Sequence, residues 1–418
     1  MNLESQTNRF APYFYRTLSV LVALFIVTMV LQPLLPKSWA MVLIALRYII
    51  VPGFIVAFCF TVFERVLFVA LFVGWVLIEL QFGTGFDSED EKVLLSVLGS
   101  LPYLKAGMML ASNRNARVVW NGILFSVLFL NIITIAIYVN TLRGGSISSE
   151  IFASTQRENE DPLFRFALGN AIEVPAFLAL ATAASSIVLG GRTPLNLISL
   201  VMNLIGSFIS QSRMVFIISC YALVRMRRYF NRIAIGAAIV MVLAGMFVSK
   251  AKVYETGEET WASLLERFHG NDAGSAENRM DIVGLLRENI NLAALTFGNG
   301  INSSFHLMGE SGMGYVSFDS ALLQTFYDAG LLRLLALALF IIYMIRKADF
   351  RLQWRGEFLL GFAQVFLLLP IHGYTAMNMF SLGALCINFK NQASPEMASS
   401  GKLVSQARLV QPALEGRQ

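Results

Sequence analysis

Apolar runs about as long as a bilayer is thick recur along this sequence, separated by short polar turns, and that recurrence restricts the chain to a helical membrane fold. In hydrocarbon every backbone N–H and C=O must be paired internally, so each run reads as a helix. With roughly 20 apolar residues needed per crossing, spans fall near 17–36, 39–60, 64–82, 92–111, 118–139, 166–190, 193–210, 212–228, 231–249, 320–345, 355–372 and 374–389. The expected fold class is therefore all-α: a single polytopic membrane domain over 1–418 with about twelve transmembrane helices. Composition agrees, because only 14% of the residues are charged and 56% are hydrophobic, against about 25% charged in a soluble domain.

Orientation follows from the basic residues, which cytoplasmic loops retain. With the N-terminus inside, the inner turns contain Arg65, Arg114, Arg117, Arg192, the run RMRRYFNR from Arg225 to Arg232, and Arg346, Lys347, Arg351 and Arg355. The short outer turns hold little beyond Lys37, Lys92 and Arg213. Both termini are then cytoplasmic, and the opposite face is the outer, periplasm-like one. The apolar run after the polar segment MNLESQTNRFAPYFYRTL continues to about Leu35, too long for a signal-peptide core and without a small-residue cleavage site, so the first helix is expected to be kept. Cys59, Cys220 and Cys386 all lie in apolar runs, which suits small buried hydrophobes and neither a disulfide framework nor a metal site. The acidic turn FGTGFDSEDEK lacks calcium-loop spacing and reads as solvated. The polar tail 390–418 is expected to be disordered.

One long polar interruption, 250–319, falls on the outer side as a large periplasmic loop. It reads as a short helix, a Gly-rich irregular segment, and then the start of another helix. Ionisable residues inside spans are costly and therefore informative: Arg47, Lys105, Glu173 and Arg333. Arg47 and Lys105 suit snorkelling or internal pairing. Glu173, about two turns in from the outer face, suits either contact with a polar substrate or neutralisation of a buried Arg.

Three outer positions carry the chemical reading. Arg213, in SQSRMVF, sits at a break between two apolar runs, as a membrane-boundary anchor or an anion ligand. At 100° per residue, Arg279 shares a helix face with Ile282, Val283, Leu286 and Ile290, with Asp281 and Glu288 opposite. A cation on an apolar stripe calls for an anionic partner, and a guanidinium suits the oxygens of a phosphate. Asp319, at the start of the helix SALLQTFYDAG, is an N-cap or a carboxylate available as general base. Glu173, His306 and Asp281 are further candidates for that base.

SQSRMVFIISCYAL, NRMDIVGLLRENI followed by LTFGNGIN, and DSALLQTFYDAGLL together resemble, in that order, the Ser-Arg helix start, the Arg helix leading into a Phe-Gly-x-Gly turn, and the closing pattern of the O-antigen polymerase and ligase group (Wzy and WaaL). The resemblance covers about Ser210 to Leu332. It implies a GT-C-like membrane glycosyltransferase that uses undecaprenyl-diphosphate-linked oligosaccharide, with no metal or other cofactor and no nucleotide sugar, and with a chain-length regulator protein as partner. In that reading Asp319, Arg213 and Arg279 are catalytic, and Arg213, Arg279, Arg287, Glu173 and His306 bind substrate. Where the ligases carry His-Asn, this chain has Asp319 and Ser320, which favours polymerase over ligase. A lipid-linked oligosaccharide flippase is the rival from another class, although transporters usually keep charged binding groups near the midplane. No nucleic-acid signature is present.

The orientation has a direct check. Cysteines introduced at Ser148 and Ser303 should react with a membrane-impermeant thiol reagent added to intact cells, and one at Tyr229 should not; reaction at Tyr229 would reverse the topology.

Overall fold

The computed structural model describes residues 46–82, 88–112, 117–142, 173–189, 194–209, 217–220, 273–301, 303–310, 320–347, 356–367 and 376–386, with a few single positions before them. Among these residues all regular structure is helical. A π-turn at Leu46–Ile50 runs into α1 (Val51–Cys59), followed by α2 (Val62–Phe82), α3 (Ser88–Ser112), α4 (Arg117–Leu142), α5 (Glu173–Val188) and α6 (Pro194–Ile209). The polar segment 250–319 supplies α7 (Ala273–Asn289), α8 (Leu292–Phe297) and α9 (Ser303–Glu310). The chain then forms α10 (Ala321–Lys347), α11 (Gly356–Leu367) and α12 (Ala376–Leu385). The expected spans 17–36, 212–228 and 231–249, and the tail 390–418, lie wholly or mostly outside the described residues.

Among the described residues, two helices are long and apolar enough to cross a membrane, over Leu94–Ala111 and Ala321–Ile345. Local chemistry fixes several ends. The π-turn precedes Pro52, whose missing N–H and bulky ring cannot accommodate a regular i→i−4 bond. Thr61 and Glu64 open α2 with a capping box: the Thr61 N–H donates to Glu64 Oε2 at 2.7 Å and the Glu64 N–H to Thr61 Oγ1 at 3.4 Å.

The core is built on α3 and α12, the most extensively packed helix pair. Their backbones meet through two glycines. A Cβ on Gly107 would strike the Phe380 carbonyl oxygen, and one on Gly383 would strike that of Leu104. Small residues at such a crossing let dispersion contacts replace the hydrophobic driving force that lipid does not supply. Trp120 stacks on Phe380 with ring centroids 5.1 Å apart.

Charge and hydrophobicity are distributed inside out. On α2, Val62, Val66, Val69, Val73, Leu77 and Leu80 form an exposed apolar stripe along the whole helix, while Glu64 and Glu79 are buried. Leu331, Leu335, Leu339 and Ile342 do the same on α10. Lys105 is accounted for by pairing: its Nζ lies 2.9 Å from Glu64 Oε1. Arg47 is buried too, and its carbonyl accepts the Tyr103 hydroxyl at 2.7 Å.

Gly107→Val or Gly383→Val should destabilise the purified protein by about 1–3 kcal/mol or more through overpacking. By contrast Gly122→Ala, whose added Cβ meets nothing within 4 Å, should be neutral or slightly stabilising. Denaturant titration in detergent would compare them, and equal stability of the valine variants and the parent would refute the close crossing.

Candidate functional site

The helices α7, α8 and α9 are fastened to the bundle at a break in α10. Ser320 opens that helix, its Oγ accepting the Leu323 N–H at 3.4 Å. Asp319, for which the sequence suggested a capping role, lies outside the described residues. The helix then stops at Gly330, whose φ of 72° and ψ of 172° are not helical; a side chain there would be strained by the positive φ. A break leaves carbonyls without helical donors, and buried ones must find others. They do so in the turn FGNGIN: the Asn299 N–H donates to the Tyr327 carbonyl at 3.0 Å and the Gly300 N–H to that of Asp328 at 3.1 Å. Contact is close enough that a Cβ on Gly298 would strike the Asp328 carbonyl oxygen, and one on Gly330 the Gly298 nitrogen.

Arg333 closes the junction from below. Its Nε donates to the Ala329 carbonyl at 2.7 Å, Nη2 to the carbonyls of Phe297 at 2.7 Å and Asp328 at 3.2 Å, and Nη1 to Glu79 Oε2 at 2.8 Å. Glu79 Oε1 in turn accepts the Ile301 N–H at 2.8 Å. One guanidinium thus ties α2, the FGNG turn and both sides of the α10 break. The Trp75 ring lies beneath it at 5.7 Å. Nearby, Asp328 accepts the Ser304 N–H at 2.8 Å and the Ser304 hydroxyl at 2.9 Å, so a carboxylate sits at the start of α9, where the helix dipole favours it. Gln324 Nε2 donates to Ser304 Oγ at 3.1 Å.

On this clasp rests the amphipathic helix. Ile282 and Leu286 of α7 pack with Met308 of α9 and Tyr327 of α10, with Ile290 and Leu307 beside them. The apolar stripe read from the sequence is present, except that Val283 is 50% exposed. Asp281 and Glu288 face outward. Arg279 occupies a position on α7 three residues before buried Ile282, and Arg287 and His306 are exposed on α7 and α9. Positions Arg279, Arg287 and His306 are therefore brought into one sub-assembly. Glu173 begins α5, which packs with α4, α6 and α12 instead. Arg213 and Asp319 lie outside the described residues.

These groups divide by role. Glu79, Arg333 and Asp328 are buried and hydrogen-bonded, so they hold geometry. Arg287 and His306 are free to meet a ligand. Among the described residues no three His, Cys, Asp or Glu side chains gather as a metal site. Glu79, Ser304, Gln324 and Asp328 are not singled out by the sequence reading. The available signal was an acid within the apolar run VGWVLIELQF, matched in charge by Arg333 in another run. No family model, curated protein or solved structure matches the chain.

Removing one member of a buried ion pair leaves the other uncompensated, so Arg333→Met should cost about 3–5 kcal/mol. Glu79→Leu should be similar, and the double variant should lose clearly less than the sum of the two. Detergent-phase denaturation of all four proteins checks this; additive losses would mean that the pair does not act as a unit.

Proposed function

We propose that this chain is a polysaccharide polymerase of the bacterial inner membrane that joins undecaprenyl-diphosphate-linked repeat units at the periplasmic face. The full form has about twelve spans, both termini in the cytoplasm, and 250–319 as the large periplasmic loop. The observation that carries this reading is convergence. NRMDIVGLLRENI with LTFGNGIN, and DSALLQTFYDAGLL, two of the three segments whose order resembles the O-antigen polymerase and ligase group, meet in one clasp around Arg333 and Tyr327. The exposed apolar stripes of α2 and α10 support a lipid-embedded body, because patches of that extent are otherwise rare on monomers.

In the proposed reaction Arg213 and Arg279 grip the diphosphate of the lipid bearing the growing glycan, with Arg287 and His306 at the rim and Glu173 near the sugar. A hydroxyl at the non-reducing end of a second lipid-linked unit attacks the anomeric carbon. The new C–O bond forms as the bond to the diphosphate breaks, and the departing polyprenyl diphosphate keeps the electron pair. The hydroxyl proton passes to Asp319. The two guanidiniums stabilise the charge developing on the leaving group, an effect that can exceed other catalytic contributions. No metal or other cofactor is needed, and a chain-length regulator is the expected protein partner.

A flippase for the same lipid-linked sugar is the second reading, favoured by the break of α10 at Gly330, since discontinuous helices often mark transport sites. Against it, the cationic candidates gather in the outer segment rather than at the midplane.

Where the product is O-antigen, deletion should leave acceptor lipid capped with one repeat unit and no ladder on a gel. Arg213→Ala, Arg279→Ala and Asp319→Asn should each reproduce that pattern while the protein still accumulates, and Arg→Lys should restore only part of the ladder because an ammonium lacks the two-pronged contact. Arg143→Ala and Arg267→Ala should be near neutral. A wholly uncapped acceptor, with polymer retained on the carrier, would identify a ligase instead.

A further inference from the structure

Away from the clasp, the interface of α4, α5, α6 and α12 is polar without being charged. Asn131, Thr182, Ser185, Ser186, Asn196, Ser199 and Asn203 are all buried on α4, α5 and α6, and Ser381 is buried on α12. Three of them form a relay across helices: Asn131 Nδ2 donates to Asn203 Oδ1 at 2.8 Å, and Asn203 Nδ2 to Thr182 Oγ1 at 2.8 Å. The short connection 189–193 makes α5 and α6 an antiparallel hairpin. Register from the Asn203–Thr182 bond then places Ser186, one turn on from Thr182, level with Ser199, one turn back from Asn203. Ser381 lies on α12, which packs against α5.

The hydroxyls of Ser185, Ser186, Ser199 and Ser381 have no hydrogen-bond partner. Elsewhere in the same structure a helical hydroxyl finds its own backbone: Ser100 donates to the Val97 carbonyl at 2.8 Å, Thr325 to that of Ala321 at 2.6 Å and Thr296 to that of Leu292 at 3.0 Å. The four serines do not take that route. Nor are they there for size, since Ala181, Ala183 and Ala184 are buried on the same helix as Ser185 and Ser186 and alanine would fill a small-residue contact without an oxygen to satisfy. Buried polar atoms of this kind are normally completed by internal water.

We propose that the α5–α6 seam is a water-binding site: a row of internal waters bonded to the hydroxyls of Ser185, Ser186 and Ser199, extending the Thr182–Asn203–Asn131 relay. The ligand class follows from the lining, which among the described residues offers hydroxyl and amide groups and no charge, so that it suits uncharged molecules able both to donate and to accept. This assignment stands apart from the polymerase reading and uses none of its residues.

Single cysteines in a background with Cys59, Cys220 and Cys386 replaced by alanine test it in the full-length protein. Thiosulfonate reagents modify the thiolate, which forms in water and is suppressed in apolar surroundings. Ser186→Cys and Ser199→Cys should react with 2-aminoethyl methanethiosulfonate at least about 10-fold faster than Ala184→Cys and Leu200→Cys, controls that are equally buried on the same two helices. Equal rates for the serine and control positions would overturn the proposal. Should a cysteine variant fail to fold, radiolytic hydroxyl-radical labelling of the unaltered chain gives the same decision. With each segment's rate divided by its rate in the unfolded chain, bound water should make 194–209 label faster than the buried 94–111, and a normalised rate no higher than that of 94–111 would refute the site.

Discussion

A guanidinium enclosed among helices must be surrounded by acceptors, and that requirement shapes the outer part of this molecule. Arg333 meets it with three backbone carbonyls and the Glu79 carboxylate. Two of those carbonyls belong to the interrupted end of the first part of α10, and the third to the turn that crosses it. The break at Gly330 and the positive φ of Gly298 are consequences of the same geometry: without them neither strand of backbone could approach the other. A pair of this kind adds little net stability over an apolar replacement, yet breaking it is costly. Its value lies in fixing one arrangement of α2, α8, α9 and α10.

The remainder of the fold follows from a different economy. Charged side chains are turned inward and paired, as with Lys105 and Glu64, while valine, leucine and phenylalanine face outward along α2, α4 and α10. Where helices must come closest, at α3 and α12, glycine removes the side chain altogether. The clasp and the glycine-packed core together leave exposed Arg287 and His306 mounted on a fixed base.

Much of the helical layout was legible because each helix is an apolar run bounded by polar turns. The expected spans 64–82, 118–139 and 193–210 differ from α2, α4 and α6 by only a few residues. The buried face of α7 was legible too, from the spacing of Ile282, Leu286 and Ile290. The clasp was not. Glu79 and Arg333 stand 254 residues apart, and no local pattern announces that one acid and one base in separate runs will meet. The break at Gly330 is hidden by the unbroken hydrophobicity around it. Val283 broke the face rule because the neighbours of α7 cover only part of its apolar stripe.

Chemistry at a lipid-linked substrate is best tested with purified components. The full-length protein in detergent micelles would be mixed with synthetic undecaprenyl-diphosphate-linked repeat units and a chelator, and the products separated by size. A polymerase yields a ladder rising one repeat at a time, with free undecaprenyl diphosphate released in step. Folded protein that leaves the units unchanged in micelles, but moves them across the bilayer of sealed vesicles, would contradict the assignment and establish a transporter.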